Sequence, residues 1–186
     1  MNIFVLDRDP ELAAKYHCDK HAVKMVLESA QMMCAAHWTT YLRKNNLSLS
    51  DFKRVRDAQQ WLFENMPKQE QPPWKLSHAR HPCTVWTMET KDNYMWHYKH
   101  FVALANEYKY RYNREHLSYT KLNDILRNPP KNIPDGGLTP FPQAMPDDAK
   151  DSDPVQAYRN YYGKYKQEIA VWKNGRPAPN WWGQYV

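Results

Sequence analysis

Apolar and aromatic residues recur along most of this chain with helical spacing, which predicts a mainly α, compact fold forming a single domain over residues 1–186. Ile3 to Leu6 is a short apolar run that stops at Asp7, so a short N-terminal strand or an extended arm is expected there. Asp9-Pro10 then supplies an N-cap followed by proline in the first turn. Nothing interrupts the helical pattern from there to about Tyr41, and Leu12, Tyr16, Val23, Leu27, Ala30, Cys34 and Trp38 form the expected core face. Asn45-Asn46, Ser48 and Ser50 mark a turn before a second helix over about 51–65, with Phe52, Val55, Trp61 and Leu62 inward. After a loop at 67–73, His81-Pro82 opens a third long helix that reaches about Tyr112 and carries Trp86, Trp96, Leu104 and Tyr108. A short helix over 119–127 ends at Asn128-Pro129-Pro130, since a residue before proline is driven out of the helical region.

Residues 128–153 hold Gly136, Gly137 and six of the 14 prolines, which predicts a long Pro-rich loop. A loop of that length in a compact domain is expected to act as a lid or a binding strap. Asp153-Pro154 starts a last helix running to about Asn174-Gly175, and the tail, 177–186, is expected to dock through Trp181-Trp182.

Composition narrows the class. The chain is 42% hydrophobic, which excludes a disordered protein. Its mean hydropathy of -0.91 reflects 13 Tyr and 8 Trp, amphipathic rings that build core and keep a polar tip. Three widely spaced cysteines, Cys18, Cys34 and Cys83, fit neither a disulfide framework nor a structural zinc site. With no stretch near the roughly 18 apolar residues of a membrane span and no signal peptide, the expectation is a cytoplasmic protein without a membrane partner. The net charge of +6 either serves solubility or, with so many aromatics, matches DNA or a nucleotide as partner.

Candidate chemistry concentrates on the first long helix. His17, His21, Lys24 and Glu28 fall within roughly 60° of one another on a helical projection. They form either an ordinary surface ion pair with solvated histidines, or, because Ala14, Cys18, Met25 and Met32 flank them, the lining of a covered cleft. Asp19 projects near the apolar face, where a carboxylate needs a partner. Glu89, Asn93, Trp96, His100, Glu107 and Arg111 make a second stripe. Two such helices packed together would assemble a site for general acid–base chemistry or a buried ionic network. The candidate catalytic residues are Asp19, His17, His21, Lys24, Glu89 and His100. No cofactor is expected, although His17 and His21, one turn apart, are spaced to share a metal ion. Glycine-rich phosphate loops and a GxSxG elbow are absent. Tyr110, Arg111, Tyr112 and Arg114, and Tyr158, Arg159 and Lys164, interleave rings and cations as a nucleic-acid-binding surface would.

The opening Met1-Asn2-Ile3-Phe4, His17-Cys18-Asp19-Lys20-His21, Lys24-Met25 and Glu28, with Arg127-Asn128-Pro129-Pro130 and Tyr158-Arg159-Asn160-Tyr161-Tyr162, resembles a family of small proteins of tailed bacteriophages along nearly the whole chain. A fainter similarity links it to the all-helical phage pyrimidine dimer DNA glycosylases of the endonuclease V type. That resemblance implies a DNA glycosylase of the host-cell cytoplasm, with Asp19 as catalytic carboxylate, Lys24 near phosphate or sugar, and an N-terminal amine that attacks sugar C1′. The amine would here belong to Met1, because Asn2 disfavours removal of the initiator methionine; Lys20, Lys24 or a water are the other nucleophiles. A metal-dependent hydrolase or nucleotide-modifying enzyme centred on His17 and His21, and a non-catalytic nucleic-acid or nucleotide binding protein, are the alternatives.

Overall fold

The computed structural model describes residues 1–185, so the last residue of the tail, Val186, lies outside the described residues. Seven α-helices carry the fold: α1 (Pro10–Tyr16), α2 (Asp19–Lys44), α3 (Val55–Asn65), α4 (Pro82–Thr87), α5 (Lys91–Tyr112), α6 (Leu117–Leu126) and α7 (Pro154–Tyr165). Short 3-10 turns fill in between, and no strand forms among the described residues. α2 and α5 pack along each other, α1 lies against α5, and α4 and α6 close over α2. The main core includes Met25, Met32, Met33, Trp86, Tyr94, Phe101, Tyr158 and Tyr162. A smaller one, built on Trp38, Leu42, Leu62 and Met66, joins the far end of α2 to α3. Among the described residues no helix is long and apolar enough to cross a membrane.

The N-terminal segment is an arm, not a strand. Ile3, Phe4, Val5 and Leu6 are buried in the main core without a ladder partner. Side chains serve their backbone groups instead: His100 Nε2 lies 3.1 Å from the Ile3 carbonyl, and Arg159 donates twice to that of Leu6. Phe4 takes the left-handed region at φ 45, a conformation costing about 1–2 kcal/mol outside glycine, and stacks on His21 with centroids 4.4 Å apart.

Both long helices expected from the pattern are broken. The first stops at His17-Cys18, where Arg111 donates to the carbonyls of Lys15 and His17 at 3.0 and 2.9 Å. On the other side of the break, the Asp19 N–H donates to the Val171 carbonyl at 2.8 Å. Groups from distant segments thus replace the intrahelical bonds of this turn. The second divides at Met88–Thr90, where the Thr90 hydroxyl accepts from the Asn93 N–H and caps α5. Its Lys91 N–H donates to Pro134, in the long loop. The last helix ends early, at Tyr165, before a 3-10 turn at Gln167–Ile169.

The core face expected along α1 and α2 holds only in part: Ala30, Cys34 and Trp38 are fully buried. Leu12, Val23 and Leu27 are 38–40% exposed, while His21 and Glu28 are 4% and 7% exposed. Residues 128–153 behave as a strap. Phe141 packs on Trp86 and Trp96, the Ala144 carbonyl accepts from the Asn2 amide, and the Pro142 carbonyl accepts from Tyr158. The tail docks through Trp182, with Trp181 beneath the Arg159 guanidinium.

Arg111 makes four hydrogen bonds from a fully buried side chain, two to the carbonyls and one each to Asp19 and Glu107. Arg111→Ala leaves Asp19 without its cation, Glu107 with Arg176 alone and two carbonyls without donors, and should cost about 3–5 kcal/mol. Arg111→Lys should recover little of it, because one ammonium cannot reproduce the fork. Urea denaturation measures both; a loss below about 1 kcal/mol for the alanine variant would show that this side chain does not hold the break.

Candidate functional site

At the start of the arm a polar cluster forms around one carboxylate. Glu28 lies on the inward face of α2, and burial of the arm carries the Met1 amine to 3.7 Å from its Oε2. The Asn2 N–H donates to the same oxygen at 3.2 Å, and Lys24 reaches Oε1 at 3.0 Å. The Met1 side chain is 3% exposed and that of Lys24 is 57% exposed, so Lys24 alone extends the cluster well into solvent. His81, capping α4, completes it. Burial lowers the His81 pKa, assisted by the Met1 amine and His78; Glu28 and the Met1 backbone oppose this.

Next to this cluster lies a group of sheltered imidazoles. His17 is 5.4 Å from His100 and 6.2 Å from His21, centroid to centroid. His21 Nδ1 pairs with the Tyr162 hydroxyl at 2.5 Å. Burial pushes the His21 pKa down to about 3, and Lys166, Lys24, Lys20 and the Met1 amine act in the same direction. His17 is lowered well below 6.5, by burial first and then by His100 and His21. Its Nδ1 faces the Ala13 carbonyl at 2.7 Å and so carries the proton, leaving a buried Nε2 lone pair with no partner. His100 has a carbonyl against each ring nitrogen, Pro10 at 3.0 Å and Ile3 at 3.1 Å, and burial holds its pKa at about 4 against both bonds. His97, at about 3, is lowered by burial and by His100.

Asp19 belongs to a different network. Arg111 reaches its Oδ1 at 3.1 Å, and the Lys173 N–H donates to Oδ2 at 2.7 Å. Glu107 joins through Arg111 and through Arg176, which also lies 4.0 Å over the Tyr110 ring. This knot ties α1, α2, α5 and the segment after α7 together, and its acceptors are filled from within the chain. The structure therefore joins α2 and α5 along their polar edges, but divides the candidate catalytic residues. His17, His21 and His100 come together, Lys24 lies beside Glu28, Asp19 is in the Arg111 knot, and exposed Glu89 accepts from Thr139 on the strap.

The expected nucleic-acid surface is mostly internal. Arg111 and Tyr158 are buried, the latter completely. Arg159 is held by the Leu6 carbonyl, Tyr112 donates to the Asp19 carbonyl, and Lys164 pairs with Asp148. Tyr110, 57% exposed, and Arg114, lying over the Tyr108 ring, remain outside. Exposed cations gather elsewhere: Lys20 and Lys24 stand near His21, and partly buried Lys166 lies 4.7 Å over the Tyr161 ring. Among the described residues no group of three or more His, Cys, Asp or Glu side chains is arranged to hold a metal ion. His17 and His21 turn their Nδ1 atoms to Ala13 and Tyr162.

Sequence reasoning missed the Met1–Glu28 pairing, Asn2 and His81. The apolar run Ile3–Leu6 was the available signal, since its burial brings the adjacent Met1 amine to Glu28. No protein-family model, curated protein or solved structure matches the chain.

The imidazoles make stability depend on pH. In the unfolded chain they bind protons near pH 6.5; in the folded chain His21 and His97 do so near 3 and His100 near 4. Between these limits the unfolded state holds more protons, so stability is full above 6.5 and falls as pH drops through that value. The slope is about 1.4 kcal/mol per pH unit for each group. Denaturation midpoints at pH 7.5 and 5.5 should differ accordingly, and an equal midpoint at both would refute the assignment.

Proposed function

We propose that this protein is an enzyme acting on DNA bases or nucleotides, most concretely a DNA glycosylase, with the Met1 amine and Glu28 at its reaction centre. The observation that carries this reading is the amine held 3.7 Å from a carboxylate that is 7% exposed, beside Lys24, with Lys20 and Lys166 near the neighbouring His21. Those cations suit a phosphodiester backbone. The amine suits attack on an electrophilic sugar carbon, and the carboxylate suits proton transfer and stabilisation of a cationic sugar.

In the proposed reaction the deprotonated amine attacks C1′ of an extruded nucleotide. An N–C1′ bond forms, the glycosidic C1′–N bond breaks, and its electron pair leaves with the base, which takes up a proton. Glu28 accepts the proton that the nitrogen sheds and returns it to O4′ as the C1′–O4′ bond breaks and its electron pair leaves on that oxygen, which opens the sugar ring and yields an imine. Lys24 must swing away from Glu28 to admit the nucleotide. The role that the family resemblance implies for Asp19 passes to Glu28, because Arg111 and the Lys173 N–H already occupy the Asp19 carboxylate.

The test is release of free base from duplexes carrying damaged or modified pyrimidines, with borohydride added to reduce an imine to a stable protein–DNA adduct. Glu28→Gln should lower release by about 10²-fold or more, and one residue added ahead of Met1 should abolish trapping. DNA binding with no base release from any substrate would favour a non-catalytic binding protein and refute the proposal.

A further inference from the structure

A cleft of about 510 Å³ opens at the other end of α2. That is within the roughly 300–1,000 Å³ range of small-ligand sites. Its floor is one stripe of the helix, His37, Thr40, Tyr41 and Lys44, at the three- and four-residue steps that share a face. One wall comes from the end of α3 and the turn after it, with Met66 and Gln69. The other comes from the end of α6 and the Asn128-Pro129-Pro130 turn, with Ile125 and Asn132. Ile125, Pro129 and Pro130 give the second wall an apolar face, and the first is polar apart from Met66, so the slot offers a flat ring one apolar side and one hydrogen-bonding side.

The floor has a defined hydrogen-bonding character. Tyr94 donates its hydroxyl proton to the Leu126 carbonyl at 2.9 Å, so the 2.8 Å contact from His37 Nε2 to that hydroxyl must be a donated N–H. His37 is therefore left with an Nδ1 lone pair that makes no bond among the described residues. Gln69 and Asn128 are exposed at the rim and add amides that both donate and accept. Lys44 and Lys131 line the opening and form no ion pair among the described residues. Glu70 and Asp124, also without ion pairs there, suit amino groups or sugar hydroxyls.

We infer that this cleft binds a nucleotide, with the base between the two walls and an N–H over His37 Nδ1, and the phosphate at Lys44 and Lys131. The ligand is a free mononucleotide or one unpaired nucleotide of a strand. Glu28 and His37 are nine residues apart, roughly 14 Å along α2, so this site is separate from the Met1–Glu28 centre and stands without it.

Calorimetric titration of the full chain tests the inference, using the four deoxynucleoside monophosphates, the matching nucleosides, inorganic phosphate and short single strands. At least one monophosphate should bind with a submillimolar Kd and its nucleoside about tenfold more weakly, and Lys44→Ala and Lys131→Ala should each weaken the monophosphate by about tenfold and spare the nucleoside. Both lysines are exposed, so the variants should keep the wild-type melting midpoint. A strand that binds more tightly than the monophosphate, and is weakened by the same substitutions, assigns the site to DNA; otherwise the ligand is the free nucleotide. Glu28→Gln should leave these affinities unchanged, which separates failure of the reaction centre from failure of the cleft. The inference is overturned if no monophosphate binds at millimolar concentration, if phosphate alone binds equally well, or if the lysine substitutions change nothing.

Discussion

A backbone segment taken out of water without a neighbouring strand must find a partner for each of its peptide groups elsewhere. Residues 3–6 are in that position, and apart from the Leu6 N–H, which turns back to the Phe4 carbonyl, the partners are side chains. His100 and Arg159 take carbonyls of the arm, the Asn2 carboxamide oxygen takes the Ile3 N–H, and Glu28 takes that of Asn2. Polar residues therefore face the middle of the protein, and Leu12 on α1 and Val23 and Leu27 on α2 are left partly in solvent. The sheltered imidazoles and the amine beside Glu28 are products of the same demand.

Arg111 meets a related demand at the other end of the arm's neighbourhood. The turn between α1 and α2 leaves carbonyls without helical partners, and a guanidinium with several coplanar donors can serve two of them while neutralising Asp19 and Glu107. Charge at this knot is internal to the fold. Around His21 the balance differs: several cations approach one imidazole and one carboxylate, and Lys20 and Lys24 keep their head groups in water. That contrast is why the proposed reaction centre is assigned to Glu28 and not to Asp19.

Boundaries that depend on neighbouring residues were legible in the sequence. Asp9-Pro10 and Asp153-Pro154 start helices where expected, since cap and proline act within one turn. The proline-rich strap and the docking tryptophans were legible from composition. The break at His17-Cys18 was not, because Arg111 and Val171, both more than ninety residues away, stabilise it. Thr90 was a local signal overlooked within an otherwise continuous periodicity. Helical projection found the stripe of His17, His21, Lys24 and Glu28 and the buried Ala30, Cys34 and Trp38, yet turned Leu12, Val23 and Leu27 inward as well, since periodicity weighs side chains and ignores the peptide groups of a buried arm. The ring–cation runs near Tyr110 and Tyr158 looked like a surface because composition does not distinguish a stacked exterior from a hydrogen-bonded interior.

The bond from Arg159 to the Leu6 carbonyl joins residues 153 positions apart. During synthesis at about 5–20 residues per second, the arm leaves the ribosome roughly ten to thirty seconds before the guanidinium that seats it. For that interval four apolar residues at the front of the nascent chain lack their binding groove. They are a natural target for chaperones, and a point where crowded expression would lead to aggregation before the last helix arrives.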